Sequence, residues 1–312
     1  MSFLKLKDLK SLKKFIKENW NKNHILTKND KLLLWQHLSI KNRLDFFVKK
    51  KKNKIIALLG IINQSRDKDY TEISLAIWIS NIKSFGAKLY LDLEKNLNFK
   101  IVKGTTVNEN IIPMYKLLGF NVKKFNIYYL TPLSEKKRLY SKHLIHSKLT
   151  NQSSLKILKS KEILEMKGVN INYLKWRFIN HPVYDYFFIS ENEKKLILIY
   201  RVIKIKKIKI MRIVDFIGSF KNQKKTIIKL NNYLSKSGFE YMEFFHYGFE
   251  DQYIRVSGLK KLRNKQKIVL YNEPYKGLGN KDFYCCYKAE KIKKIKIIRA
   301  DGDFDRPSVI SY

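Results

Sequence analysis

Along the first half of the chain, hydrophobic positions switch between helical and strand-like spacing in a fixed order. Over residues 8–20, Leu9, Leu12, Phe15 and Ile16 recur at helical spacing, and residues 29–38 repeat the pattern behind Thr27 or Asn29 as a cap. Residues 45–50 and 54–62 read as a hairpin around the polar turn Lys52 and Asn53. A strand over 73–80, a helix over 87–96, a strand over 99–103, a helix over 110–118 and one long strand over 120–131 complete this half. Pro113 is tolerable in the last helix only within its first turn.

Residues 131–170 are polar and rich in Lys and Ser, and read as a connecting helix and linker. Beyond them, strands are expected over 186–190, 195–205 and 207–217, a turn at Gly218 and Ser219, a helix over 223–235 and a strand over 239–246. Residues 249–256 then lead to a turn over 257–261. Both halves share a hairpin, strand-turn-helix, strand-helix-Gly-turn order, which we read as a tandem duplication. The domains are residues 1–131 and 171–312, joined by 132–170. The fold class is α/β (α+β), with a mixed twisted sheet flanked by helices in each half.

Composition narrows the class. Hydrophobic content of 45%, with 13% aromatic residues, supports a packed core and excludes global disorder. No stretch reaches the roughly 20 apolar residues that span a bilayer, and residues 1–20 are basic and amphipathic without the continuous apolar run of a leader. The N-terminal helix could touch a membrane surface, but packing on the sheet is the simpler role. A cytoplasmic, reduced setting is expected. Cys285 and Cys286 are adjacent, so on a strand they point to opposite faces and cannot form a structural disulfide. No metal spacing is present.

The net charge of +38 would ordinarily point to a nucleic acid or an anionic surface. Only ten of the 65 basic residues are Arg, however, and Lys is scattered along both halves beside abundant Ile and Asn. That composition follows A/T-rich coding, so a nucleic-acid partner is not expected. Arg resists this bias, and Arg177, Arg201, Arg212, Arg299 and Arg306 all lie in the second half. Their planar forks suit bidentate contacts to carboxylate or phosphate, although structural ion pairs serve equally well.

Candidate chemistry centres on residues 108–120, N-E-N-I-I-P-M-Y-K-L-L-G-F, and on Ser84-Phe85-Gly86-Ala87 upstream. A strand, a small-residue turn and a helix make an anion cradle, because unpaired helix N–H groups converge there. The spacing of seven allows Asn108 and Tyr115 to share one helix face. This stretch resembles the GNAT family of acyl-CoA N-acetyltransferases, whose last core helix often reads N-x-x-A-x-x-x-Y-x-x-x-G-F. Asn108, Tyr115, Gly119 and Phe120 match, whereas Ile111 replaces the small residue. Of the family's Q/R-x-x-G-x-G/A loop only Gly86 is kept, with Asn81 and Ser84 at the earlier landmarks.

The resemblance implies acetyl-CoA as co-substrate, held by Ser80, Asn81, Ser84, Phe85, Gly86, Ala87 and Asn108. It implies Tyr115 as the acid for the departing thiolate. A backbone N–H near the strand end at Ser80 would polarise the thioester carbonyl. For the base, Glu72, His37 and a water chain remain open. The second half's turn at Gly218 lacks a second glycine and a matching Tyr, so CoA binding is expected in the first half only.

The chain is also similar, more loosely, to uncharacterised acyltransferases of bacterial surface-polysaccharide loci. The W-R-F-x-x-H-P segment from Trp176 to Pro182, the R-I-V-D-F-x-G strand from Arg212 to Gly218 and the D-x-D-x-D-R-P tail from Asp301 to Pro307 carry this. It implies an amino sugar, free or nucleotide-linked, as acceptor. Trp176, Arg177, His181, Arg212, Asp215, Asp301, Asp303, Asp305 and Arg306 are the candidate acceptor-binding residues, since rings stack on sugars while Asp and Arg bind hydroxyls and phosphates. Turn capping and core packing are the alternative roles. The tail is not an EF-hand: Arg306 stands where Gly is needed and Tyr312 where a bidentate Glu is needed. Two other functions stay open, a Fem-type aminoacyl transfer from charged tRNA and a non-catalytic scaffold.

Overall fold

The structure, a computed structural model, describes residues 1–66, 69–83, 85–132, 144, 155–191, 194–263, 266–269, 278–279, 282–290 and 294–307. A short strand β1 (Ser2–Lys5) leads into helices α1 (Leu9–Asn19), α2 (Ile25–Lys28) and α3 (Asp30–His37). Asn29 caps α3, its side-chain oxygen accepting from the Leu32 amide at 2.9 Å. The hairpin of β2 (Arg43–Lys51) and β3 (Lys54–Asn63) turns on Lys52 and Asn53, at φ 47° and 61°, as a two-residue primed turn requires. Next come β4 (Glu72–Ser80), α4 (Phe85–Asn96), β5 (Ile101–Val107), α5 (Ile112–Leu117), β6 (Asn121–Lys124) and β7 (Asn126–Leu130). Pro113 falls in the first turn of α5, where no intrahelical N–H is missed.

The later part opens with β8 (Lys156–Leu158), α6 (Ser160–Leu164) and α7 (Ile171–Leu174), which runs into a π-type turn over Lys175–Ile179. The strands β9 (Phe187–Ser190), β10 (Leu196–Ile205) and β11 (Ile208–Gly218) precede α8 (Lys224–Lys236) and β12 (Phe239–Tyr247). Helix α9 (Asp251–Val256) and β13 (Lys260–Lys261) follow, then the ribbon of β14 (Ile268–Val269) and β15 (Leu278–Gly279). Strands β16 (Tyr284–Ala289) and β17 (Ile297–Ile298) come last.

Two large sheets result, ordered β1-β2-β3-β4-β5-β16-β6 and β8-β9-β10-β11-β12-β7-β13. The orders correspond strand for strand, with one parallel pair in each, β4 with β5 and β11 with β12. The sixth place is exchanged. β16, from late in the chain, sits between β5 and β6, and β7, from the first half, sits between β12 and β13. Neither sheet is built from one half alone.

This exchange corrects the expectation of one strand over 120–131. The chain breaks at Phe125, whose amide donates to the Phe283 carbonyl at 2.8 Å while its ring is buried. β6 is an edge strand whose lysines face solvent, whereas β7 is interior and apolar, so the two suit different sheets.

Leu12, Phe15 and Ile16 bury the apolar stripe of α1 with α2 and α3 on one face of the first sheet. Leu89, Tyr90 and Leu93 of α4 pack on the other face with Tyr115. On β16 the free thiols point oppositely, Cys286 into the α4 side and Cys285 into a core shared by both sheets with Phe283 and Phe304. No helix among the described residues is long and apolar enough to cross a membrane.

Candidate functional site

The parallel strands β4 and β5 pair only from Glu72 with Ile101 to Leu75 with Gly104, yet continue to Ser80 and Val107. Past that last pair they splay. Each carries a bulge just beyond it. β3 matches Leu59 to Trp78 but Ile61 to Leu75, so β4 holds an extra residue there, and β16 matches Tyr284 to Val107 but Cys286 to Gly104. Bulges bend a strand and re-aim its groups, which is how two parallel neighbours come apart. Thr106 takes φ 57°, unusual for a β-branched residue.

Helix α4 begins at the mouth of this splay with Phe85, Gly86 and Ala87, all half-buried. A Cβ on Gly86 would lie 3.3 Å from the Trp78 indole nitrogen, so the glycine lets the helix start close over that ring. The Trp78 Nε1 is buried without a hydrogen-bond partner among the described residues. Its ring meets Tyr115 edge-on at 5.7 Å. Burial pushes the Tyr115 phenol well above its ordinary range, with Cys286 and Asp303 adding to it, so it stays protonated.

The other proposed cofactor residues are placed less centrally. Asn108 is exposed and caps the 3₁₀ turn before α5, accepting from the Asn110 amide at 3.0 Å. It therefore precedes the helix that carries Tyr115, and the two do not share one helix face. Asn81 is exposed and donates to Asn19 at 2.8 Å, and the Ser80 hydroxyl donates to the Ile82 carbonyl at 2.8 Å. Ser84 lies outside the described residues.

Beside the origin of the splay, the first sheet meets the tail and the second half in a largely buried polar cluster. Lys103 bridges Glu72 at 2.6 Å and Asp301 at 3.1 Å. Burial opposes its charge, but the Asp301 and Glu72 carboxylates outweigh that and raise its pKa. The next tail residue, Gly302, takes φ +78°, and a Cβ there would stand 3.0 Å from Thr105 Oγ1 and 3.2 Å from Ser74 Cβ. Asp303 accepts from Thr105 at 3.5 Å and pairs with Arg306 at 3.2 Å. Asp305 is buried against Arg201 and the Tyr186 hydroxyl, both at 2.7 Å. Burial alone would raise its pKa, but Arg201 and Arg177 hold it below the usual value.

Arg177, also buried, donates from Nε to the Ala300 carbonyl at 3.0 Å. Asp215 is half-buried, accepting from the Phe216 amide at 2.7 Å and the Tyr173 hydroxyl at 3.3 Å. Burial, then the Asp301 carboxylate, push its pKa up to about 7 against the Phe216 and Tyr173 hydrogen bonds. Trp176 stacks on Trp35 at 5.3 Å and lies under the Arg66 guanidinium at 4.6 Å. His181 accepts two backbone N–H groups on Nδ1, which places its proton on Nε2, and its ring lies 4.3 Å from Trp35.

Glu72, Trp176, Arg177, His181, Asp215, Asp301, Asp303, Asp305 and Arg306 are thus linked, directly or through one neighbour, in this cluster. Arg212 belongs elsewhere, fully buried against Glu243 at 2.5 Å on neighbouring strands of the second sheet. His37 is fully buried too, its Nδ1 2.8 Å from the Ile61 carbonyl and its ring on Phe46. Burial lowers its pKa to about 3, with Arg306 adding to the effect, so it is neutral and weakly basic.

The second sheet splays in the same manner, and there the gap is filled. β11 and β12 pair from Lys209 with Phe239 to Ile213 with Phe244, then part. Between them runs the tail: β17 pairs with His246 and Tyr247 of β12, and the Ala300 amide donates to the Val214 carbonyl of β11 at 3.0 Å. Phe216, Phe220, Phe244 and Phe249 pack beside it. In the first splay, no main-chain hydrogen bond among the described residues joins β4 to β5 beyond Gly104.

Trp35, Arg66, Trp78, Lys103 and Tyr173 were not singled out from the sequence as site residues. Tyr173 stands beside the W-R-F-x-x-H-P segment and Trp35 two residues before His37, so an aromatic cluster was the available signal. Lys103 is indistinguishable by pattern from the other lysines.

No family model matches the chain, and no curated protein matches it. Its architecture is similar to that of solved structures. A GCN5-related N-acetyltransferase from Anabaena variabilis aligns with TM-score 0.53 at 9% identity, over 92% of this chain and 72% of that one. A conserved Enterococcus faecalis protein of unknown function, described as a probable N-acyltransferase, gives TM-score 0.52 at 12% identity over 92% and 71%. A proposed acetyltransferase of Pyrococcus horikoshii gives 0.50 at 8% over 94% and 90%. At these identities the likeness shows the fold alone: two mixed sheets flanked by helices, matching GNAT-like folds.

Proposed function

We propose that the chain is an acyl-CoA-dependent N-acyltransferase, using acetyl-CoA, that holds its acyl donor in the first splay and receives an amine at the polar cluster between the halves. The observation that carries this reading is the contrast between the two splays. The second is occupied by the chain's own backbone, while in the first no main-chain hydrogen bond among the described residues joins the strand edges at the mouth of a twelve-residue helix. A pantetheine arm carries two amides able to bond such edges, and the first-turn N–H groups of α4 suit a pyrophosphate.

With the donor bound there, a β4 amide past the bulge can polarise the thioester carbonyl. Tyr115, kept protonated by burial, can return a proton to the sulfur. For the acceptor we propose an amino sugar, free or nucleotide-linked, of a bacterial surface polysaccharide. The half-buried ring of Tyr173 offers an apolar surface to a pyranose, and the neighbouring Asp and Arg side chains suit its hydroxyls or a phosphate.

Calorimetric titration of acetyl-CoA tests the donor assignment, with Ala87→Asp as control. An Asp in the first turn favours the helix dipole, so the fold should survive while the carboxylate repels pyrophosphate. Micromolar binding that weakens strongly in the variant supports the reading. Absence of binding to the wild-type chain would remove it.

A further inference from the structure

We infer that Asp215, supplied by the second half, is the base that takes the proton from the amine attacking a thioester held in the first half. The inference rests on the acyltransfer reading above, and it makes the transfer site composite.

The geometry begins with a bulge. β10 matches Ile199 to Asp215 but Tyr200 to Ile213, leaving Val214 as the extra residue of β11. Counted from the last parallel pair, Leu75 in β4 and Ile213 in β11, Asp215 corresponds to Ile77. Ile77 is buried among the apolar side chains that pack under α1 and α3. The same bulged position therefore carries an apolar side chain in one half and a carboxylate in the other. A packing role would be met by another apolar residue, so the carboxylate calls for a separate reason.

The carboxylate also faces the right place. Among charged groups Asp301 acts on it most strongly, and Asp301 holds Lys103 at 3.1 Å. Lys103 lies one residue before the final β4–β5 pair, and Gly302 rests on Ser74 and Thr105, which flank that pair. Asp215 thus stands across the tail from the point where the two strands part.

The other carboxylates in the cluster are committed to strong partners. Asp301 accepts from Lys103 and from the Ile298 amide at 2.8 Å, Glu72 pairs with Lys103, Asp303 pairs with Arg306, and Asp305 is fixed by Arg201 and Tyr186. Asp215 has no cationic partner within ion-pair distance among the described residues; a phenol and a backbone amide hold it. Facing it are Tyr173 from α7, Arg177 from the π-type turn and Asp301 from the tail, with Glu72 of β4 and Lys103 of β5 behind them. A pKa of about 7 leaves a substantial ionised fraction at neutral pH together with enough basicity to accept a proton.

In the step, the amine nitrogen lone pair attacks the thioester carbonyl carbon and the C–N bond forms. The carbonyl re-forms as the C–S bond breaks, and sulfur leaves with the bonding pair as thiolate. One N–H proton passes to the Asp215 carboxylate, and the Tyr115 hydroxyl protonates the thiolate. The products are an amide and free CoA, and Asp215 and Tyr115 then re-equilibrate with solvent.

The test uses the full chain with acetyl-CoA and two small amines, ethanolamine, which is protonated near neutrality, and hydroxylamine, which is largely not. CoA release is followed with a thiol reagent across pH. Asp215→Asn should lower kcat with ethanolamine by about 100-fold or more and leave acetyl-CoA affinity unchanged, and it should slow hydroxylamine less, because the adduct of a weakly basic amine sheds its N–H proton to water more readily. Tyr173→Phe, which removes a hydrogen bond that favours the carboxylate, should move the acid limb to higher pH. Asp215→Asn with wild-type ethanolamine turnover and an unmoved acid limb would overturn the inference while the donor reading stands. A wild-type chain that binds no acetyl-CoA removes both.

Discussion

Trp35 and Trp176 each donate the indole N–H to the other's backbone carbonyl, at 2.8 and 2.9 Å, while their rings stack at 5.3 Å. One residue is on α3 of the first half and the other on the π-type turn of the second, so this reciprocal pair clamps the two halves beside the polar cluster.

Its loss should be measurable. Trp176→Phe keeps a ring but removes one hydrogen bond, leaving the Trp35 carbonyl short of a partner, and should cost about 1 kcal/mol in urea unfolding. Trp176→Ala also removes the stack and the surface under Arg66 and should cost roughly 3 kcal/mol. A double-mutant cycle of Trp35→Phe with Trp176→Phe should show coupling of at least about 0.5 kcal/mol. Strict additivity would mean the two bonds form independently.

Exchange of β7 and β16 ties the folding of the halves together. Each sheet lacks its sixth strand unless the other half is present, and each exchanged strand is flanked on both sides. Urea unfolding should therefore show one transition. Tryptophan fluorescence, with Trp20, Trp35 and Trp78 in the first half, should coincide with loss of amide protection in β10–β12. Separate midpoints would show that the halves are independent despite the exchange.

Much of the element order was legible because it is local. The hairpin turn at Lys52 and Asn53, the cap at Asn29, α4 after the Gly86 turn and the tolerance for Pro113 each follow from a few neighbouring residues. What escaped was partnership between distant segments. Nothing in 284–289 tells that β16 belongs between β5 and β6, and the strand-like run over 120–131 hides the step from one sheet to the other at Phe125. The aspartate tail was legible as a cluster, whereas its passage through the second splay depends on bonds from Ala300 to Val214 and from β17 to β12. The seven-residue interval from Asn108 to Tyr115 misled because the helix starts only at Ile112.

Stability should fall on acidification from pH 6 to pH 4. Burial lowers His24, His37 and His181 to about 3 and His246 to about 4. In this window the unfolded chain, with histidines near 6.5, binds protons that the folded chain excludes, so stability rises with pH. Asp45 and Asp215 act oppositely, since burial raises them to about 6 and about 7 and the folded chain holds their protons longer. Four histidines against two aspartates leave about two net protons, each worth about 1.4 kcal/mol per pH unit. Urea midpoints at pH 7, 6, 5 and 4 would show the trend, and a midpoint that rises on acidification contradicts it.

Lys103 offers a sharper test of the tail. Lys103→Met leaves Asp301 buried without its cation and should cost roughly 3–5 kcal/mol, whereas Glu72→Gln, at a carboxylate 28% exposed, should cost no more than about 1 kcal/mol. Gly302→Ala forces a side chain into the left-handed region against Thr105 and Ser74, and should cost roughly 1–2 kcal/mol. Because the tail links Lys103 to Arg201 through Asp301 and Asp305, Lys103→Met and Gly302→Ala should both speed proteolysis near residue 300. Unchanged cleavage would show that the tail is held without these contacts.

Two tandem folds of this kind could in principle take two donors, and the strands predict one. In the second sheet, the backbone groups that part at Ile213 and Phe244 are met by Ile297–Ala300, so a pantetheine arm would have to displace hydrogen-bonded chain. The aromatic rings of Phe216, Phe220 and Phe249 further fill the approach. The first splay has no such internal competitor among the described residues. Titration with acetyl-CoA should accordingly saturate at one equivalent per chain, and Ala87→Asp should abolish that single event. Ala300→Pro, which removes the N–H given to Val214, should weaken the tail without removing the first-splay event. Two equivalents in the wild-type chain would mean that the tail yields to the cofactor, and the two halves would then have to be treated as equivalent donor sites.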